Sequence, residues 1–452
     1  MSSVIVVGAG LAGLSCAWRL QRAGIDVEVL ERAEEPGGRL RSESLEEFLI
    51  ESGAAFFTSH DRSLHSIADH LDLSGRVQSV LRYPDATVHA GAFSPLRPIE
   101  DPLFLGSKAV SRTASLRLLR LRFEWMRWRR QLDPAHPEAV RSLESESLAR
   151  YLDRIVGSEL RERVIAPYVS AALGLDAENL SAAYLLLLID RVAGARPQYM
   201  VGGMKHLTSQ LARRLSVRYR CEVTDIETQS DGARVRYRAG HLQGQLQGHL
   251  QGKPQGQRQR SVMADAVVVA VPGTAVTDIC PKLTPSERGF FEGVRFSRGV
   301  VAHLLFDEAM TFPYRSVSFR RRRGFGLYDV QASHHKRGAA PVGAGLLRAS
   351  LNEAASERVW SASDAEVGGV VLDNLESTPF GKLSPRRIVV SRSVAASPVF
   401  YPGYLGRLKR FAEQSERSER LMFCGDYLVG NGAEAALTSG MRAASQIAQA
   451  LG

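Results

Sequence analysis

Residues 2–32 read SSVIVVGAGLAGLSCAWRLQRAGIDVEVLER, and their order decides the fold. Four apolar residues, Val4 to Val7, run into Gly8, Gly10 and Gly13. A helix-like stretch follows, and a second apolar strand ends on Glu31. This layout is strand, tight turn, helix, strand: a βαβ opening. Gly8 permits the turn, Gly10 lets the backbone approach a pyrophosphate, and Gly13 allows the helix to pack closely on the strand. The helix start, Leu11 and Ala12, presents free N–H groups and a positive dipole end to phosphate. Glu31, eighteen residues beyond Gly13, is placed to accept hydrogen bonds from a ribose. A glycine turn alone is common; one between a strand and a helix, answered by an acid at the end of the next strand, describes a dinucleotide site.

The remaining composition narrows the class. A chain of 452 residues is long for one hydrophobic core, so two or more domains are expected. Apolar content of 44% and charged content of 23% describe an ordinary globular protein. The longest apolar runs, such as 182–189, are too short to cross a bilayer, and no basic segment precedes the first strand as in a signal peptide. Cys16, Cys221, Cys280 and Cys424 are scattered and read as buried thiols, which suits a reducing cytoplasm. No group of residues has metal-ligand spacing. The net charge of +10 comes almost wholly from arginine, with seven lysines among 58 basic residues. No aromatic-interleaved basic motif accompanies it, so no nucleic-acid partner is expected, while contact with the inner face of a membrane stays open.

Along the chain, the character changes near Leu81. The stretches 107–130 and 148–175 look helical. Leu118, Leu121, Trp125 and Trp128 form one stripe at 100° per residue, and Leu119, Phe123 and Met126 form another. Arginines fall between the stripes, so the segment reads as a packed core helix rather than a membrane-surface one. Strand patterns return after VGGMKHLTSQLARRL (201–215), and a Gln/Gly tract at 241–259 reads as a loop expansion without chemistry. Two more strand-like stretches, 299–309 and 386–397, flank a helix-like segment starting near Ala362. The ending from Leu421 is again strand, loop, helix. The expected fold is mixed α/β: a Rossmann-like dinucleotide domain assembled from 1–80, 200–288 and 400–452, and a substrate domain from 81–199 and 289–399. The second domain combines a mixed sheet with a helical insertion at 81–199.

Two distant segments refine the cofactor. RAEEPGGRLRS follows Glu31 and carries Arg32, Gly37, Gly38 and Arg39; FCGDYLVGNGAEAAL (423–437) carries Gly425 and Asp426 between a strand and a helix. At this point the sequence resembles the flavin-containing amine oxidase and protoporphyrinogen oxidase superfamily, most of all its protoporphyrinogen oxidase-like members. The resemblance implies non-covalent FAD. The first glycines would hold its ADP half, and Gly37, Gly38 and Arg39 would lie along the pyrophosphate and flavin. Gly53, Ala54 and Ala55 would join them, Val223 would meet adenine, and Asp426 would meet the ribityl-phosphate region. Gly432, Ala433 and Glu434 would bring a helix N-terminus to the flavin edge where negative charge gathers on reduction.

The same resemblance frames the chemistry: dehydrogenation of a largely apolar small molecule by hydride transfer, with electrons passed to oxygen or a quinone. The superfamily's amine oxidases carry a lysine on a substrate-domain strand, and alignment of VVAHLLFDEAM places Val301 there. Protoporphyrinogen oxidase-like chemistry is therefore favoured over a divergent amine or amino-acid oxidase, a polyene desaturase, or a protein that merely retains FAD. Pro398, Tyr401 and Tyr404 are candidates to wall a flat substrate. His303 is a candidate cavity residue, although it and His206 read equally as core histidines, and no catalytic base stands out.

Overall fold

The computed structural model describes residues 2–452 apart from 81–82, 98–99, 132, 134–135, 137–139, 142, 193, 230–231, 241–257 and 414–417. The Gln/Gly tract thus lies outside the described residues, except for Arg258 and Gln259, which open a strand.

A five-stranded parallel sheet is built from distant pieces of chain, in the order Ser216–Arg218, Asp26–Leu30, Ser3–Val7, Ala266–Val269, Leu421–Phe423. Val4 to Val7 pair with Ala266 to Val269 on one side and with Val27 to Leu30 on the other. Both faces of these strands are covered, which explains why they read as continuous apolar runs rather than alternating ones. One cover is the helix Leu11–Arg22; against it lies the terminal helix Ala433–Leu451. Their crossing is tight. A Cβ on Gly440 would stand 2.1 Å from the Ala12 carbonyl oxygen and 2.3 Å from Ser15 Oγ. Ser15 Oγ donates to Ala12 O and to Leu437 O, sewing the two helices together inside the core.

A second, seven-stranded sheet has the order Arg387–Ser393, Gly299–Phe306, Gly345–Leu351, Leu327–Ala332, Ser316–Ser318, Asp85–His89, Ala92–Leu96. Its pairings are antiparallel except that Ser316–Ser318 runs parallel to Asp85–His89. Side chains alternate between faces along each strand, so register decides what each face carries. Ala302, Ala349, Val330, Val317 and Ala86 fall in one cross-strand row. That face packs on Val367, Val371 and Leu375 of the helix Asp364–Glu376. The helix begins at a Ser363–Glu366 capping box, in which each side chain bonds the other's backbone N–H.

The helical insertion is more broken than its sequence suggests. Residues 148–175 form Leu148–Ile155, a short turn at Ser158–Leu160, a π-turn at Arg161–Ile165 and Ala166–Leu173. Gly157, at φ +86°, makes the first break and Gly174, at φ +66°, ends the last helix. Residues 107–130 give Arg112–Leu116 and Leu118–Trp128. Here the expectation of a fully packed helix fails. Leu118, Leu121, Trp125 and Trp128 turn to the core, whereas Leu119, Phe123 and Met126 are exposed.

Gly440→Ala is expected to destabilise the fold by about 1–3 kcal/mol, because the Ala12 carbonyl is main chain and yields only with the helix. Thermal denaturation checks this; an unchanged melting temperature would mean that the crossing has slack.

Candidate functional site

The glycine turn is held by backbone geometry. Gly8 adopts φ +107°, and a Cβ there would stand 2.9 Å from Ala270 O. A Cβ on Gly13 would stand 2.0 Å from Gly8 O, so the helix lies directly against the strand end. Gly10 differs: nothing lies within 4 Å of the place its Cβ would take. It caps the Leu11–Arg22 helix without a side-chain partner, and that helix has no acid in its first turn. The turn therefore presents main-chain N–H groups and open space together. Glu31 accepts from Ala9 N at 2.6 Å and Ala33 N at 2.8 Å, fixing the turn against the second strand. Val223 is close in chain to this corner, since Cys221 N donates to Glu31 O at 2.8 Å. Arg32 is exposed.

Gly10 and Gly37 form an isolated bridge, which sets the Gly37–Arg39 segment across the turn. Arg39 then reaches the far end of the sequence. Its two terminal nitrogens donate to Asp426 Oδ2 at 2.5 Å and Oδ1 at 2.7 Å, a bidentate pair spanning 387 residues. Burial disfavours the guanidinium charge, but Asp426 more than offsets this and raises the Arg39 pKa. Asp426 is expected to meet a cofactor directly, yet its carboxylate is taken by Arg39 and by Tyr427 N at 3.0 Å. A Cβ on Gly53 would stand 1.8 Å from Arg39 O, and Ala54 N donates to that oxygen at 3.1 Å, so Gly53–Ala55 runs beside the same residue.

Gly425 N donates to Ser439 Oγ at 3.0 Å. Gly432, at φ +99°, caps the terminal helix with nothing within 4 Å of its absent Cβ. Ala433 follows as the first helical residue. The side chain of Glu434 turns away: its oxygens accept from Ser63 N and Leu64 N, capping the helix Arg62–His70. Only its main chain contributes to the Gly432 end.

The second face of the seven-stranded sheet is polar and buried. One row runs His303, Arg348, Gln331, Ser316, Asp85; the next runs Ser350, Asp329, Ser318, Thr87, Ser94. Thr87, Ser94, His303, Ser318 and Asp329 are all at most 5% exposed. Several atoms there lack any hydrogen-bond partner: Thr87 Oγ1, Ser94 Oγ and one oxygen each of Asp85 and Asp329, while the His303 ring is met by the backbone of Glu51 and Val389. Burial raises the pKa of Asp329 and Asp85, outweighing their Arg348 and Arg315 neighbours. The Gly53–Ala55 segment borders this face. Arg348 donates to Gly53 O at 3.5 Å, and Lys336, paired with Glu51, donates to Ala55 O at 2.7 Å. The face thus offers hydrogen-bonding capacity out of water, next to the segment that Arg39 anchors.

The tyrosine candidates do not wall this region. Tyr404 is buried among Phe290, Phe400 and Tyr401, with its hydroxyl on Tyr427 O at 2.9 Å. Tyr401 donates to Gly293 O at 2.8 Å. Both hydroxyls serve backbone carbonyls, as buried tyrosines commonly do. Pro398 carries a backbone carbonyl that accepts from Asn431 Nδ2 at 3.0 Å, tying this segment to the loop before the terminal helix. His303 does lie on the polar face. Val301 shares that face, and although it is not a lysine, Lys336 follows the strand two places away, Leu327–Ala332, after the turn Ser333–His335. Sequence reasoning passed over Lys336, Arg348 and Asp329. The period-two polar pattern in Asp329/Gln331, Ser316/Ser318 and Arg348/Ser350 was the available signal. All four cysteines are buried and free. Among the described residues no acidic, histidine or cysteine group has the make-up of a metal site, and no helix is long and apolar enough to cross a membrane.

Comparison with known proteins gives the chain's family. A family model described as flavin containing amine oxidoreductase matches residues 11–448. Protoporphyrinogen oxidase 2 of Arabidopsis thaliana is 26% identical over 178 residues, covering 39% of this chain and 34% of that protein. The chain thus spans about a third of the length of that plant relative. Coproporphyrinogen III oxidase of Bacillus subtilis is 21% identical over 448 residues, 91% of this chain and 90% of that one. The solved structure of a wild-type putrescine oxidase bound to putrescine superposes with a TM-score of 0.78 at 19% identity, covering 99% and 98% of the two chains.

Burial, then the nearby Arg348 charge, lowers the His303 pKa to about 3. An unfolded imidazole titrates near 6.5. The unfolded state therefore binds the proton first, and stability present above about pH 6.5 is lost progressively as pH falls toward 3. His303→Leu is expected to flatten that part of the melting-temperature profile; an equally steep acid loss in the variant would place the sensitivity elsewhere.

Proposed function

The chain belongs to the flavin-containing amine oxidoreductase family, whose cofactor is FAD, and we propose that it is an FAD-dependent oxidoreductase acting on a carboxylate-bearing porphyrinogen. The residues fit the cofactor. Gly10 and Gly432 leave open space at two helix N-termini that no side chain caps, where phosphate and a developing negative charge would be stabilised. In this reading Glu31 and Val223 hold the adenosine end, and Leu11, Ala12 and Gly37–Arg39 follow the pyrophosphate. Gly53–Ala55 and Gly432–Ala433 flank the flavin. Asp426 acts through Arg39, holding the guanidinium across the cradle. Cys424 stands next to Gly425, but burial pushes its thiol up to about 12, so it is no nucleophile for covalent attachment. In this reading the domain division would follow the two sheets, with the glycine turn and the terminal helix in the cofactor domain.

FAD, when bound, accepts a hydride from a substrate C–H and passes two electrons on to oxygen or a quinone. The chain's own contribution is to bind, orient and exclude water. The observation that carries the substrate class is the buried polar sheet face beside Gly53–Ala55, with Lys336 and Arg348 at its edge. To the expectation of a largely apolar substrate this adds polar groups, because a wholly apolar ligand would leave these donors and acceptors unpaired. A porphyrinogen combines an apolar macrocycle with carboxylates that suit the cationic edge, and the near full-length likeness to a coproporphyrinogen oxidase supports it. A second reading, a cationic amine, is favoured by Asp85 and Asp329 on the same face.

Asp426→Ala is expected to purify with FAD retention at least about tenfold weaker, since Arg39 loses the partner that orients it. A normal flavin-to-protein absorbance ratio in that variant would remove Asp426 from the cradle. Anaerobic mixing with coproporphyrinogen III or protoporphyrinogen IX should bleach the flavin band within seconds. Bleaching by amines alone would establish the second reading, and bleaching by dithionite alone would overturn both.

A further inference from the structure

The chain between the strands Leu327–Ala332 and Gly345–Leu351 folds back on itself and encloses space. A cavity of about 480 Å³ lies there, walled by the 334–344 turn, by Ala309 and Met310, and by Gln78 and Tyr199. That volume is in the range that holds small organic ligands. The turn is fixed rather than loose. Lys336 N donates to Ser333 O at 3.0 Å, Ala339 N to Lys336 O at 3.1 Å, and Ala344 N to Pro341 O at 3.1 Å. Gly338 and Gly343, at φ +73° and +85°, take the left-handed corners that other residues resist. Ala339 is buried, and its carbonyl accepts from Leu49 N at 2.9 Å. On the other side Tyr199 Oη accepts from Arg337 N at 2.9 Å and donates to Gln78 Oε1 at 3.1 Å. His335 stacks on Tyr83 with ring centroids 3.7 Å apart. A cavity formed in advance spares a ligand the cost of ordering its walls.

The charge in this cavity has one sign. His334, His335, Lys336 and Arg337 follow one another along its wall, and no acid is among the described residues that line it. These four differ in what they can offer. Lys336 is buried and already paired with Glu51. Burial holds both imidazoles below their usual pKa, that of His335 at about 4, so they are neutral near pH 7. Arg337 is exposed, and its guanidinium enters no ion pair among the described residues. Its backbone is anchored on Tyr199 while its charged end keeps its donors. Met310, Pro341 and Val342 supply apolar surface alongside. A ligand that satisfies both carries a negative group on an apolar body. A cation is repelled by Arg337, and a wholly apolar molecule leaves the guanidinium nothing to bind. Lys336 and Tyr199 also border a void of about 20 Å³ beside Arg315 and Gln331, so they form the wall between this cavity and the polar sheet face.

We propose that this cavity is a second ligand site, separate from the cofactor cradle and from the polar sheet face, that takes a small carboxylate with an apolar stem. Arg337 holds the carboxylate, and the stem lies on Met310, Pro341 and Val342. The site stands whether or not the substrate is a porphyrinogen, and its test reads binding rather than turnover.

The test is isothermal titration calorimetry of the FAD-loaded protein near neutral pH with phenylpropionate, beside its uncharged counterpart phenylpropanol. The wild type should bind one equivalent of the acid with a Kd of about 1 mM or below, the range that so small a ligand can reach. It should bind the alcohol at least about fivefold more weakly, because the charged hydrogen bonds to Arg337 are lost. Arg337→Ser removes the cation, and Val342→Glu sets an acid at the rim. Both positions are exposed, so flavin content and melting temperature should hold in each variant. Each should weaken binding of the acid at least about fivefold. Arg130→Ser, which removes an exposed arginine elsewhere, should leave binding unchanged. Four outcomes overturn the proposal. The wild type could give no heat of binding with the acid. Acid and alcohol could bind alike, which reduces the cavity to an apolar hollow. Arg337→Ser and Val342→Glu could both bind as the wild type does, which places the acid elsewhere, the polar sheet face included. Or Arg130→Ser could weaken binding as much as they do, which is attraction by net charge only.

Discussion

Three glycines stand where the chain approaches itself too closely for any side chain. Gly13 meets the Gly8 carbonyl, Gly53 meets the Arg39 carbonyl, and Gly440 meets the Ala12 carbonyl. A Cβ in any of them would fall within 2.1 Å of a main-chain oxygen, well inside contact distance. These approaches set the spacing of everything else in the cradle. The first presses the helix onto its strand, the second lays the 53–55 segment along Arg39, and the third locks the terminal helix onto the first one. The Arg39–Asp426 pair then spans the gap that these contacts define. Its geometry is a result of the glycine contacts as much as of its own charge, because a bidentate fork tolerates little displacement.

The first 31 residues were legible because each signal there is local: the turn, the helix start and the acid lie within a few residues of the groups they serve. The parallel sheet was legible from composition, since strands covered on both faces have no polar alternation to obscure them. The polar sheet face was not. The polar rows depend on the register of six strands, and the lysine at its edge reaches in from a 3₁₀ turn at Ser333–His335. Residue type alone also misled at Tyr401 and Tyr404. An aromatic near a proline-rich turn looks like a cavity wall, but only packing showed that their hydroxyls serve backbone carbonyls. Glu434 shows the same limit: its position in the terminal helix was right, while its carboxylate caps a different helix.

The two faces of the seven-stranded sheet make different demands on the chain. The Ala302–Ala86 row fills space with small apolar groups and needs nothing but volume, so substitutions of like size are tolerated there. The polar rows are buried without full satisfaction, a state that costs stability unless a ligand completes it. Under the proposed function a bound substrate would supply the missing partners, and changes on this face would alter substrate choice with least effect on the fold.

The strands of the parallel sheet come from residues 3–7, 26–30, 216–218, 266–269 and 421–423. Pairing across such separations carries a large loop-closure entropy, so the fold has high contact order and its assembly is slow. The dinucleotide cradle exists only once the last of these pieces has docked. A ligand that bridges them binds the native state alone and pulls the equilibrium toward it by mass action. Riboflavin supply in the host therefore governs more than occupancy: a cell short of flavin would accumulate less of this polypeptide, through turnover of chains that never close.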